Sequence, residues 1–331
     1  MNLQAKWIEL LNPIFIKNES KRKNIQIMIF FSITFGLTYI LGLLLYFREY
    51  IDPENFAGFM MILPISSVSI AKFYTEGRTN DNYKFYSLVI LFFICYLLLF
   101  IIRSLNLIND NKFITINSIL IVISSVSALI YSTSLKDLYL IKNIKIGAIL
   151  IVYFMLTKII PIIFSLLMQG NQPNYDGLLI YIFIPITSLI SIYYFLGEEY
   201  GWRGFLQDIF FVKFGKKLGV ILLGICWSLW HLPLQFTLYS PKTPILGAVA
   251  HVIYVVGISI FLGYVYMKTK NVWFCAIIHA LNNSAYIIAT YDINYESITT
   301  YSNIVESLFF VSLVYVPFLF TKEYKESIKK E

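Results

Sequence analysis

The sequence predicts an all-α protein, a polytopic membrane bundle of about ten spanning helices (eight to ten) with both termini in the cytoplasm. Three observations predict it. The 331 residues are 58% hydrophobic and only 14% charged, too apolar for an ordinary soluble domain. The apolar residues gather into ten stretches, roughly 25–47, 56–72, 85–102, 114–134, 146–168, 178–200, 218–238, 245–267, 272–290 and 303–320. Most are near the roughly 20 residues that a helix needs to cross a hydrocarbon core. Finally, the cations alternate with the stretches: 21 of the 26 Lys and Arg fall on one side of a ten-span chain and four on the other, with Lys158 inside a span. Cytoplasmic loops carry the excess of Lys and Arg, so the richer side, with both ends, is cytoplasmic.

In chain order, residues 1–24 form a basic cytoplasmic segment with Lys17, Lys21, Arg22 and Lys23. Its stretch 7–16 is expected along the membrane interface, with Pro13 limiting any helix. The first apolar run has no small-residue cleavage site and reads as an uncleaved anchor. The second, 56–72, is the weakest, because it is short and holds Pro64; it is expected to be tilted or re-entrant. The next three are built from Ile, Leu, Phe and hydroxyl residues, with Lys158 the one charge well inside, either a buried ion-pair partner or a snorkelling side chain. Residues 25–177 are therefore expected to be scaffold, lipid contact or access control. All three histidines and a Glu pair fall in 178–290, the expected functional core. Residues 291–331 supply an outer loop wetted by Asp292 and Glu296, a last span and a basic cytoplasmic tail.

No loop is long enough for a second folded domain, and no repeat of fixed period is visible. Cys95, Cys226 and Cys275 lie in apolar runs without CxxC spacing, which indicates neither a disulfide frame nor a thiolate metal site. The net charge of +7 follows from basic loops facing anionic lipid and calls for no nucleic-acid partner. Lys, Ile and Asn richness points to an AT-rich genome and a bacterial cell membrane.

Chemistry concentrates in Gly197-Glu198-Glu199-Tyr200-Gly201-Trp202-Arg203. Ionisable groups at the end of an apolar run are expensive to place and mark a site. Residues i and i+4 share a helix face whereas i and i+1 point about 100° apart. Glu199 and Arg203 can therefore neutralise each other, leaving Glu198 to point elsewhere, into a water-filled cavity as a general base. The competing reading is a solvated helix end. His231 follows Trp227 by one turn and precedes Pro233; some 20 Å along its helix, it is deep in the layer. It is either catalytic or a helix-packing histidine. His279 and Asn283, again i and i+4, can both donate hydrogen bonds to a developing oxyanion, or act as polar glue between helices. Asn282 lies about 100° round and is the weaker partner. His251, near the outer end of its span and without an acid or amide at helical spacing, is expected to be structural and remote from the Glu pair. There is no His-Glu-x-x-His, no Gly-x-Ser-x-Gly elbow and no Walker loop.

The ordered set Glu198-Glu199-x-x-x-Arg203, Trp227-x-x-x-His231 and His279-x-x-x-Asn283 resembles the CPBP family, the CAAX-processing and bacteriocin-processing intramembrane proteases. The likeness covers roughly 190–290; the middle motif usually begins with Phe, so Trp227 departs from it while keeping an aromatic ring. The resemblance implies an endopeptidase acting on a peptide or protein substrate at the membrane, from a cavity open to the cytoplasm. In it Glu198 and His231 would activate water, Glu199 and Arg203 would order the site, and His279 and Asn283 would bind the oxyanion. Glu198, His231 and His279 could instead hold a divalent ion such as zinc, although a buried glutamate can act as base with no cofactor. Two other functions compete: a non-catalytic bacteriocin-immunity or partner-binding protein, and a transporter, against which stands the absence of inverted repeats.

Overall fold

The computed structural model describes residues 15–47, 52–76, 82–133, 138–289 and 298–325. The expected interfacial stretch 7–16, apart from its last two residues, and the loop with Asp292 and Glu296 lie outside them. Among the described residues the chain is helical, with no strand.

Five long helices form the first half: α1 (Glu19–Phe47), α2 (Pro53–Glu76), α3 (Tyr83–Ser104), α4 (Asp110–Tyr131) and α5 (Ile144–Met168). Then come α6 (Tyr175–Thr187), α7 (Tyr193–Gly201), α8 (Gln207–Phe214), α9 (Lys216–Trp230), α10 (Pro244–Thr269), α11 (Val272–Ser284) and α12 (Tyr301–Val314), and the short α13 (Lys322–Lys325) closes the described chain. Among the described residues seven helices are long and apolar enough to cross a membrane, and nine if each of two bent pairs is one span. Val272–Ile288 is apolar but shorter.

Three sequence expectations change. The run 56–72 is part of an unbroken 24-residue helix, α2, despite Pro64. It is also the most enclosed of the candidate spans, with 67% of its apolar window buried against 11% for the span from Tyr301. Its low hydropathy reflects neighbours that are helices and not lipid: Ser66 and Ser67 turn their hydroxyls back to the carbonyls of Ile62 and Leu63, which leaves no polar atom of theirs unsatisfied. The run 178–200, expected as one span, is broken: α6 and the 3₁₀ turn Ser188–Ile190 meet the helix from Tyr193 at 79°. The Glu pair consequently does not end a helix. The chain continues through a π-helical turn, Trp202–Leu206, into α8, so Arg203 is inside the bundle and fully buried. Similarly, the helix of α9 bends by 47° at His231, ahead of Pro233, into the segment Leu232–Tyr239.

The junction of α7 with α2 puts the pair of acids at the centre. Gly197 and Gly201, four residues apart, lie against α2: a Cβ on Gly197 would stand 2.6 Å from the Met61 carbonyl, and one on Gly201 would collide with Pro64. Small residues at this spacing let two backbones approach closely. With that side of α7 pressed on α2, Glu198 and Glu199 face α9 and α11. The start of α11 is pinned too. Asn271 caps it by accepting from Trp273 N, while its Nδ2 donates to the carbonyls of Tyr139, Leu140 and Lys142, and the Trp273 indole donates to Leu138 O.

Candidate active site

Two carboxylates occupy the interior of an apolar bundle: Glu198 is 1% exposed and Glu199 fully buried. A solvated helix end is thereby excluded. Charges there persist only when paired and hydrogen-bonded, and each acid has its own partners. Arg203 Nη1 lies 3.1 Å from Glu199 Oε1 and 2.9 Å from Oε2, the i, i+4 pair anticipated from spacing. Glu199 Oε1 also meets His279 Nδ1 at 2.9 Å, which ties α7 to α11. Glu198 Oε2 accepts from the Trp227 indole Nε1 at 2.8 Å, which ties α7 to α9.

Trp227 is the hub. Its ring lies under the Arg203 guanidinium at 4.3 Å, edge-on to His279 at 5.3 Å and 6.1 Å from His231. Both imidazoles have one nitrogen committed. A carbonyl can only accept, so the 3.0 Å contact from His231 Nδ1 to Trp227 O puts the proton on Nδ1 and leaves Nε2 as the bare nitrogen of the neutral ring. At His279 the carboxylate of Glu199 likewise holds Nδ1, so Nε2 is the atom able to meet a substrate. Phe195 packs edge-on against the His279 ring at 5.3 Å and Trp230 against His231 at 4.7 Å, fixing both planes.

Glu198, Glu199, Arg203, Trp227, His231 and His279 are thus brought together. Asn283 is less enclosed: it is exposed, and its Oδ1 accepts from Asn282 Nδ2 at 3.1 Å. Two residues enter that spacing along one helix could not reveal. His251, expected to be remote, has its ring 5.1 Å from that of His231, and its Nδ1 is hydrogen-bonded to Ser228 Oγ at 2.9 Å. Tyr239 stacks on His251 at 5.7 Å and lies 6.2 Å from His231. Both come from elements beyond the bend at Pro233, whose arrival beside α9 depends on tertiary folding. As for a metal, no group of three or more His, Cys, Asp or Glu among the described residues is placed to hold one. The Nδ1 atoms of His231 and His279 are committed to Trp227 O and Glu199 and one oxygen of Glu198 to Trp227, which leaves Nε2 of each ring and the second Glu198 oxygen uncommitted.

Residues 177–285 match the family described as Type II CAAX prenyl endopeptidase Rce1-like. Over 93 residues the chain is 33% identical to a CAAX prenyl protease 2 of Methanococcus maripaludis, a match covering 28% of this chain and 32% of that relative. The chain therefore aligns with about a third of the length of the curated relative it matches. No solved structure matches it. The matching segment contains both acids, Arg203, Trp227, all three histidines and Asn283, and over that segment the chain is similar to the Rce1-like CAAX prenyl endopeptidases.

Proposed function

We propose that this protein is an intramembrane endopeptidase that hydrolyses a peptide bond near the membrane surface with Glu198 as general base. One observation carries the reading: the two adjacent buried carboxylates have divided their partners. Glu199 is paired with Arg203 and hydrogen-bonded to His279 Nδ1, whereas Glu198 is held by the neutral indole of Trp227. Glu199 is thus the orienting acid, and Glu198 is the one with an oxygen to spare for a reactant. In the proposed step a water oxygen bonds to the scissile carbonyl carbon while its proton passes to Glu198, with His231 Nε2 holding the second hydrogen. The carbonyl oxygen becomes an oxyanion that accepts from Asn283 Nδ2 and from His279 Nε2–H, the ring carrying both protons at that point. Collapse breaks the C–N bond, and Glu198 returns the proton to the leaving amine.

The substrate is a peptide or protein at the bilayer; the likeness to a CAAX prenyl protease makes a prenylated CAAX peptide the first probe. Ten crossings with both ends cytoplasmic, in a bacterial membrane, with 25–177 as scaffold and 178–290 as catalytic core, complete the proposal. The bent pairs and Val272–Ile288 are needed to reach ten.

The test compares wild type with Glu198→Gln, in host membranes by mapping new peptide termini and in purified form on a farnesylated peptide. Glu198→Gln removes the base with little change of shape. Cleavage should fall by about 10³-fold or more, within the range by which catalytic groups are worth, and a chelator should leave the wild-type rate unchanged. Identical termini from the two strains, with the host phenotype intact, would sink the catalytic reading in favour of a non-catalytic immunity or partner-binding role.

A further inference from the structure

Lys158 is the charge that the active-site chemistry leaves unused. It lies on α5 about 21 Å from the start of the helix at 1.5 Å per residue, at a depth where a cation is costly and marks function. Its described partners are rings and a hydroxyl. The ammonium lies 5.3 Å from the Phe154 ring, 4.8 Å from Tyr254 and 5.3 Å from Phe310, a cation–π box. It also donates to Tyr254 Oη. Tyr254 then donates to Asn282 Oδ1, and Asn282 Nδ2 donates to Asn283 Oδ1 at 3.1 Å.

The direction of this chain is forced at its origin. An ammonium has three donors and no acceptor, so Tyr254 Oη must accept from it and spend its own hydrogen onward. The only atom of an amide able to receive that hydrogen is Oδ1, which turns the Asn282 Nδ2 toward Asn283. Asn283 must in turn present Oδ1 to Asn282. Each amide could otherwise sit in either of two flipped orientations of nearly equal shape; one cation removes the choice from both.

We propose that Lys158, Tyr254 and Asn282 are positioning residues that fix the orientation of the Asn283 amide, so that Nδ2 and not Oδ1 is offered to the substrate. The inference rests on the reading of Asn283 as an oxyanion donor. An amide presented the wrong way round would put an acceptor against the developing negative charge, and the chain from Lys158 prevents that while also aligning its hydrogen-bond dipoles toward the site. Lys158 therefore acts through three hydrogen bonds and touches no reacting atom.

Two variants test it. Tyr254→Phe cuts the chain but keeps the ring that packs on Phe310 and Tyr315; Lys158→Met removes its origin and replaces a buried cation with an apolar chain of similar length. The first readout needs no substrate: the side-chain amide resonances of Asn283 in ¹⁵N-asparagine-labelled protein in micelles, identified by their loss in Asn283→Ala. They should shift in both variants, and coincidence of the wild-type and variant resonances would overturn the proposal. The second is kinetic, on a peptide whose cleavage Glu198→Gln abolishes. Both variants should lower kcat about tenfold or more, a part of what an oxyanion donor supplies, with KM within about twofold and thermal stability maintained. An unchanged kcat, or a loss confined to stability, would overturn it. If wild type cuts no peptide, the endopeptidase reading fails while the resonances still decide the chain.

Discussion

At the scale of single residues, the departure of Trp227 from the family's usual Phe acquires a chemical meaning. A phenylalanine would keep the ring beneath Arg203 and beside His279 but would offer Glu198 no donor. The indole N–H donates to that carboxylate at 2.8 Å. Trp227→Phe should therefore leave a buried carboxylate oxygen without its partner, at about 1–3 kcal/mol. The expected outcome is a lower thermal midpoint in detergent together with reduced Glu198-dependent cleavage; an unchanged midpoint would mean that the bond contributes nothing. Much of this site was legible in the sequence because its pairs are local. Glu199 with Arg203, and Trp227 with His231, are one helical turn apart, and that spacing alone places them on shared faces. The contacts Glu199–His279, Glu198–Trp227 and His231–His251 join residues 80, 29 and 20 positions apart. No periodicity encodes them, which is why His251 read as remote and Glu198 as turned to open water.

At the scale of elements, the depth of the acids follows from two glycines. The i, i+4 pair Gly197 and Gly201 lets α7 lie directly on α2, and the intervening Glu198 and Glu199 are carried inward with it. Gly201→Ala should destabilise the protein by about 1–3 kcal/mol or more, since the added Cβ meets Pro64 and the well-packed interface has to shift. Gly36→Ala is the matched control. A Cβ on Gly36 has nothing within 4 Å, so the better helix propensity of alanine should leave stability unchanged or raise it by up to about 1 kcal/mol. Opposite signs in the two thermal midpoints are expected, and equal shifts would remove the close contact as the cause. The same pair of helices shows where element reading from hydropathy stops. Apolar length located α1, α3, α4, α5 and α10 because lipid-facing residues must be apolar. It undervalued α2, which is surrounded by protein and can carry Ser66, Ser67 and Ser69 in its buried face. It also ended the helix at the Glu pair, because a carboxylate reads as polar whether water or an arginine satisfies it.

At the scale of the whole molecule, topology turns on the shortest apolar helix. Among the described residues seven helices qualify as spans outright, and the two bent pairs raise the number to nine. An odd number of crossings would put the ends on opposite sides of the membrane, and an even number on the same side. Val272–Ile288 has 17 residues, about 26 Å of helix at 1.5 Å per residue, against a hydrocarbon core of about 30 Å. If it crosses, the total is ten, and the cation distribution and the geometry agree. Its two flanks provide support: the start of α11 is tied by Asn271 to the carbonyls of Tyr139, Leu140 and Lys142, at the same end as the start of α5. At the other end, Asn174 N donates to Ile288 O beside the start of α6. The helix thus connects the two levels between which α5 runs its full length, which supports the proposed tenth crossing. In a variant with Cys95, Cys226 and Cys275 replaced by Ala, single cysteines at the exposed positions Lys17, Lys142, Lys217 and Lys322 should react with an impermeant maleimide only after lysis. Cysteines at Lys112 and Gln172 should react in intact cells. Lys17 and Lys322 reporting from opposite sides would make the number of crossings odd. The agreement between charge and geometry would then be lost, and with it the placement of the last span and of the basic tail on the cytoplasmic side.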